Sequence, residues 1–186
     1  MPERARRAAT YEDVLAAPAN TIAQVLDGEL VVHPRPASLH AAASSALGEE
    51  LGPPFKRGRG GPGGWVILDE PELHLHADIV VPDLAGWRRE RMPEMPDAPF
   101  FSLAPDWVCE VTSPTTASAD RVRKARVYAR ERVQHVWLVD PGTRVFEVWR
   151  LDGETYRVML TAADEERVRA EPFDAIELDL ALLWAR

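Results

Sequence analysis

The chain has 186 residues, 46% of them hydrophobic, and carries 22 basic against 30 acidic side chains for a net charge of −8. That length suits a single domain over residues 1–186, with residues 1–10 as a flexible N-terminus, and the acidic balance argues against a general nucleic-acid coat. The first ten residues lack the apolar core of a signal peptide and no uninterrupted apolar run of about 18 residues occurs, so the expectation is a soluble, cytoplasmic protein with no membrane span.

In chain order, Tyr11 to Leu15 reads as a short helix. From Thr21 to Val32 two apolar runs flank Asp27-Gly28, the residue pair a tight hairpin turn asks for. After Pro34-Arg35-Pro36, Ser38 can cap a helix to about Leu51, with Leu39, Ala42, Ala43, Ala46, Leu47 and Leu51 as its apolar stripe. The glycine- and proline-rich residues 52–64 read as a loop. Strands are predicted at Trp65 to Leu68 and at Leu73 to Val81, the second stopped by Pro82-Asp83. Prolines 93, 96, 99 and 105 predict a covering loop between Gly86 and Asp106. Trp107 to Val111 is apolar on both faces except at Glu110, the pattern of a central strand. Its Cys109 is the only cysteine, which excludes an intramolecular disulfide and reads as a small buried hydrophobe. Ser118 to Glu131 reads as a helix with Val122, Ala125, Tyr128 and Ala129 inward. A strand from His135 to Asp140 follows, then a hairpin turned at Asp152-Gly153, and an apolar segment from Ile176 to Trp184 closes the chain. The order describes an α/β fold: a mixed β-sheet flanked by helices on both faces, with N-terminal and C-terminal β-hairpins.

Two carboxylates stand at the ends of predicted neighbouring strands, Asp83 after I-V-V-P and Glu110 after W-V-C. Brought to one rim they repel each other, and a divalent cation removes that penalty. Magnesium takes oxygen ligands and keeps several waters, so Asp83, Glu110 and a strand carbonyl, that of Val111, make a candidate site open to a phosphate. The chain has only two lysines, Lys56 and Lys124, and Lys124 lies on the helix after Glu110. A compact ammonium there suits a water or a single phosphate oxygen, while the plainer reading is an exposed i, i+4 pair of Asp120 with Lys124.

As an ordered set, Pro82-Asp83, E-V-T-S-P-T-T from Glu110, D-R-V-R-K-A-R-V-Y with Lys124 and Tyr128, and V-W-L-V-D-P from Val136 closely resemble the Uma-two (Uma2) family of bacterial restriction endonucleases. The D-G-E-L hairpin at Asp27 to Leu30, His40 and the C-terminal hairpin extend the likeness over about residues 10 to 184. The resemblance implies the restriction-endonuclease-like fold of the PD-(D/E)xK nucleases and Mg2+-dependent cleavage of DNA, with Mn2+ as a substitute ion and a homodimer as the assembly. Carried over, Asp83 and Glu110 become the metal carboxylates and Lys124 takes the part of the superfamily lysine, whose own place here is Thr112. Glu29 and His40 match positions facing the same rim, Glu29 as an auxiliary acid. Many relatives carry a glutamate where this chain has Gln24, which keeps a second reading open: a nuclease-fold protein that binds nucleic acid or a partner protein without cutting.

Three further features have rival readings. His74 and His76, on one strand face with Glu72 and Asp78, form a pair of zinc-ligand type or a polar solvent face. The basic loop at Lys56 to Gly64 lacks the ending of a phosphate-binding P-loop and reads as a nucleic-acid backbone contact or a surface connector. The six tryptophans read as core or half-buried strand residues rather than base-stacking platforms.

Overall fold

The computed structural model describes residues 7–112 and 119–184. Residues 7–10 are tied down rather than loose: Arg7 pairs with Asp13 at 2.6 Å and the Ala9 amide donates to the Gly28 carbonyl at 2.8 Å. Residues 1–6 of the expected flexible N-terminus, the helix start at Ser118 and the Asp120 side chain lie outside the described residues.

Helix α1 (Tyr11–Leu15) leads into strands β1 (Thr21–Leu26) and β2 (Glu29–Pro34), joined through Asp27 at φ 52° and Gly28 at φ 77°. Both turn residues sit in the left-handed region that matches the twist of a two-residue hairpin. Helix α2 (Ser38–Leu51) buries Ala43, Leu47 and Leu51, but Leu39 is exposed, and Ala37 rather than Ser38 is the N-cap, with no side chain capping it. The helix does not stop at the glycine: Gly52–Lys56 continues as a π-helical turn that buries Pro54 and Phe55, so the expected loop begins only at Arg57.

Strand β3 (Trp65–Asp69) follows. The single strand predicted over Leu73 to Val81 is two, β4 (Leu73–Leu75) and β5 (Asp78–Val80), which pair antiparallel about His76-Ala77. His76 takes φ 56°, a left-handed conformation that histidine tolerates better than most residues, and no glycine marks the turn. A further strand, β6 (Leu84–Arg88), overlaps the start of the predicted covering loop. The rest of that loop is pinned where the Trp87 indole donates to the Leu103 carbonyl at 2.8 Å.

Strand β7 (Trp107–Val111), helix α3 (Ala119–Arg130) and strand β8 (His135–Asp140) form a β-α-β unit, and β7 and β8 are parallel. Within α3, Val122 is half exposed, against expectation, while Lys124, Val127 and Tyr128 are buried. The hairpin β9 (Val145–Asp152) and β10 (Thr155–Ala163) completes a six-stranded sheet in the order β10-β9-β8-β7-β6-β3. A second sheet runs β2-β1-β5-β4, and β11 (Arg167–Val168) pairs with β12 (Leu178–Asp179) near the end of the chain.

The larger sheet is apolar on both faces, as a covered sheet must be. One face packs Trp65, Trp107, Cys109 and Trp137 against α2, Phe173, Leu180 and Leu183. The other packs Val108, Val136 and Leu138 against Val127 and Tyr128 of α3 and Leu26, Leu73 and Val80 of the smaller sheet. Five of the six tryptophans are buried, as the core reading anticipates. Among the described residues no helix is long and apolar enough to cross a membrane.

Candidate active site

The chain changes sheets between β5 and β6, across Val81-Pro82-Asp83. Proline has no N–H to donate and Val81 has left its ladder, so the backbone polar groups of Val81 need partners from elsewhere. Two side chains supply them. Gln24 on β1 accepts from the Val81 amide through Oε1 at 2.8 Å, and Lys124 on α3 donates from Nζ to the Val81 carbonyl at 3.0 Å. Gln24 is 2% exposed, so its bond is shielded from water.

Asp83 therefore does not end the strand that neighbours Glu110, as the sequence suggests, but precedes the strand that does. β6 pairs antiparallel with β7, Leu84 facing Cys109, and one step further along that register Asp83 faces Glu110. The Asp83 carboxylate is fixed through both oxygens: Oδ2 accepts from the Val111 amide at 2.6 Å, and His40 Nε2 of α2 lies 3.1 Å from Oδ1. Burial opposes a charge on His40 most strongly. The hydrogen bond to Asp83, the charges of Asp83 and Glu110 and the Val111 carbonyl together outweigh it, and lift its pKa above the usual histidine value.

Glu110 is held just as firmly. Lys124 Nζ donates to Oε1 at 3.1 Å and to Oε2 at 2.9 Å, and the buried Tyr128 hydroxyl donates to Oε1 at 2.5 Å. Lys124 and Tyr128 stand one helical turn apart on the same face of α3, which lets both reach one carboxylate. Burial raises the Glu110 pKa above its ordinary value, Lys124 lowers it, and the facing charge of Asp83 raises it again, so the balance is upward. Burial, and then the charge of Glu110, push the Tyr128 phenol far up, which keeps it a hydrogen-bond donor at neutral pH.

Gln24, His40, Asp83, Glu110, Val111, Lys124 and Tyr128 all line one cavity of about 410 Å3. The sheet register sets two rows of side chains on this face, of which Asp83, Glu110, Leu138, Val136 and Trp149 line the cavity. One runs Asp83, Glu110, Leu138, Glu147 and the next runs Ala85, Val108, Val136, Trp149. At the far end Arg121 bonds Glu147 at 3.0 Å and lies 4.9 Å over the Trp149 ring.

Glu29 is not part of this cluster. It projects from the hairpin end, largely exposed, and pairs with Arg123 at 2.7 Å. The two histidines of the rival metal reading are also apart: His74 bonds Glu72 at 2.7 Å and stacks on Phe100, while His76, exposed on its turn, bonds Glu131 at 2.9 Å. Asp78 bonds neither histidine: it accepts from Arg130 at 2.6 Å and from the Asp27 amide at 2.7 Å. Among the described residues no group of three or more histidine, cysteine or acidic side chains is poised around a metal position. The basic loop is exposed apart from the half-buried Gly61 and Gly63, and its Lys56 amine donates to the Ile67 carbonyl at 2.9 Å.

The donor set suits a hard cation. Asp83 and Glu110 offer oxygens only, each Asp83 oxygen has one of its two lone pairs committed, and Mg2+ needs few protein ligands because it keeps its waters. A cation between the carboxylates would also offset the repulsion that raises Glu110. Tyr128 and Gln24 are the side chains of this cluster whose hydrogen bonds the sequence did not assign. The spacing of Lys124 and Tyr128 on α3 was the available signal for the first, and the second stood out only through the family resemblance, as a departure from the relatives' glutamate.

A model of the Uma2 family, described as "Putative restriction endonuclease", matches residues 8–182. In fold the chain is similar to a crystal structure from Anabaena variabilis, titled a "putative nuclease belonging to DUF820", with a TM-score of 0.77 over 95% of this chain and 97% of that one. Their sequence identity is 20%, so the likeness is one of fold. A search of curated proteins found no match. With a mixed sheet in the fold of that relative and a family match spanning nearly its whole length, this chain belongs to the Uma2 family.

Proposed function

We propose that this protein is a Mg2+-dependent endonuclease that hydrolyses phosphodiester bonds in DNA. One observation carries the reading: Asp83 and Glu110 face each other across adjacent strands beside a buried lysine, at the wall of a cavity open to substrate. Asp83, Glu110 and the Val111 carbonyl would hold the ion, which supplies positive charge for the phosphate oxygens and lowers the pKa of water at the site. The chain's own groups prepare the rest. Tyr128 fixes the Glu110 carboxylate and His40 and the Val111 amide fix that of Asp83, so neither reorients as negative charge develops. Lys124 bridges Glu110 and Val81 with its three N–H donors and keeps its positive charge at the cavity wall, where that charge orients the nucleophile or stabilises the pentacovalent phosphate. With a metal-activated water the site needs no strong protein base.

The test is cleavage of plasmid DNA with Mg2+ or Mn2+. Glu110→Ala and Lys124→Ala are expected to lose at least about a hundredfold in rate, the scale of removing one preorganised electrostatic group. Undiminished cleavage by Glu110→Ala overturns the assignment. A second reading, binding without cutting, draws on Gln24, a neutral amide whose oxygen is committed to Val81. In that case Mg2+ gives no rise in heat stability that Asp83→Asn abolishes.

A further inference from the structure

Beside the charged cluster the cavity is mostly carbon: Ile22, Ala125, Val136, Leu138 and Trp149 line it. A site for phosphate and metal alone has no use for such a wall. In the sheet, Leu138 is the immediate neighbour of Glu110, and Val136 and Trp149 are neighbours in the next row, so the apolar hollow adjoins the carboxylates. Above them α3 places Lys124 toward the carboxylates and Ala125, a side chain too short to fill the space, on the cavity wall. The planar Arg121 cation, held by Glu147 and Trp149, closes the end.

The volume of about 410 Å3 lies at the lower end of the range for small-ligand sites, suited to one nucleotide rather than a helix. The surrounding charge agrees. Of the four arginines of α3, Arg121, Arg123 and Arg130 are tied to Glu147, Glu29 and Asp78, and Arg126 is exposed without an ion pair among the described residues, so most of that helix's positive charge is already neutralised rather than held ready for a duplex backbone.

We propose that this hollow receives an unpaired nucleobase, so that the substrate is single-stranded DNA, with the base against Leu138, Val136 and Arg121 and its phosphate at Asp83, Glu110 and Lys124. The proposal rests on the nuclease reading for its phosphate, but the base site has its own readout. Apolar and arginine faces accept any base, so recognition is of an unstacked base rather than of sequence.

The experiment is equilibrium binding by fluorescence anisotropy, with Mg2+ present and labelled short thymidine strands made with phosphorothioate linkages that resist hydrolysis. The base-bearing strand is expected to bind at least about tenfold more tightly than the same strand made abasic, and more tightly than its duplex. Ala125→Phe, which fills the hollow, is expected to bring base-bearing and abasic strands to the same affinity while leaving the Mg2+-dependent rise in heat stability unchanged. Equal affinity of the unsubstituted protein for abasic and base-bearing strands, or tighter binding of the duplex, overturns the proposal whether or not Ala125→Phe folds. Base-dependent binding without Mg2+-dependent cleavage removes the nuclease reading and keeps the base site; cleavage with no base dependence does the reverse.

Discussion

Replacing Lys124 by methionine keeps the apolar stem and deletes the charge, which isolates what the ammonium does. In the folded protein that ammonium makes three hydrogen bonds, two to Glu110 and one to the Val81 carbonyl. The Lys124 and Glu110 side chains are 11% and 15% exposed, so water screens the pair little. Removing one partner of a buried pair costs about 3–5 kcal/mol, because the other charge stays buried without compensation. Here Tyr128 still donates to Glu110, and Glu110 can take up a proton, so the lower end applies: about 3 kcal/mol at neutral pH, over a hundredfold in the folding equilibrium. The double variant Lys124→Met/Glu110→Gln leaves no orphaned charge and should recover about 2 kcal/mol of that loss, since neutral replacement of a whole pair is far cheaper than breaking it. Urea denaturation of the wild type, both single variants and the double variant measures the cycle. A Lys124→Met cost below about 1 kcal/mol, or a double variant no more stable than Lys124→Met, would refute the argument that the pair is mutually dependent.

Three further outcomes follow from the geometry. Tyr128→Phe deletes the hydroxyl that fixes Glu110 and nothing else; it should cost about 1 kcal/mol in stability, shrink the Mg2+-induced shift in melting temperature, and lower kcat with little change in KM. Phe173→Ala should cost about 3–5 kcal/mol in urea denaturation, because its ring packs within 4.7–5.4 Å of Phe55, Trp65, Trp107 and Trp137 at the centre of one core. For His135, burial, against the opposing charge of Glu171, lowers the pKa below the usual 6.5. The unfolded chain then binds a proton that the fold resists, so stability falls as pH drops through 6.5 toward the folded value. His135→Asn should flatten that part of the urea-midpoint profile, and an unchanged slope would show that another group sets it.

Short-range pattern encodes the local elements of this chain. Asp27-Gly28 specifies its hairpin because only a few residues accept left-handed backbone cheaply. In the second hairpin Gly153 does so at φ 67°, but Asp152 pairs with Thr155 inside the ladder, so the turn is Gly153-Glu154, one residue later than the sequence suggests. The apolar runs at Trp107 and His135 specify buried strands because both faces must be covered. Asp83 and Glu110 stood out for a like reason, since charge set at the ends of apolar strands is costly unless something uses it, and Lys124 stood out as one of only two lysines, on the helix after Glu110. Pattern does not say which strand a residue leaves or joins. The run from Leu73 to Val81 alternates like one strand, yet it folds back at His76, and Asp83 begins the strand facing Glu110 rather than ending one beside it. Glu29 and Gln24 lie five residues apart, and only the pairing of β1 with β2 and β5 sends the first outward to Arg123 and the second inward to Val81. The partners that matter most are far apart in the chain, Gln24 with Val81 and Asp83 with the Val111 amide. Tertiary structure alone decided those contacts, because a buried polar group takes whichever partner the packed fold brings within hydrogen-bond distance, and local sequence carries no record of it.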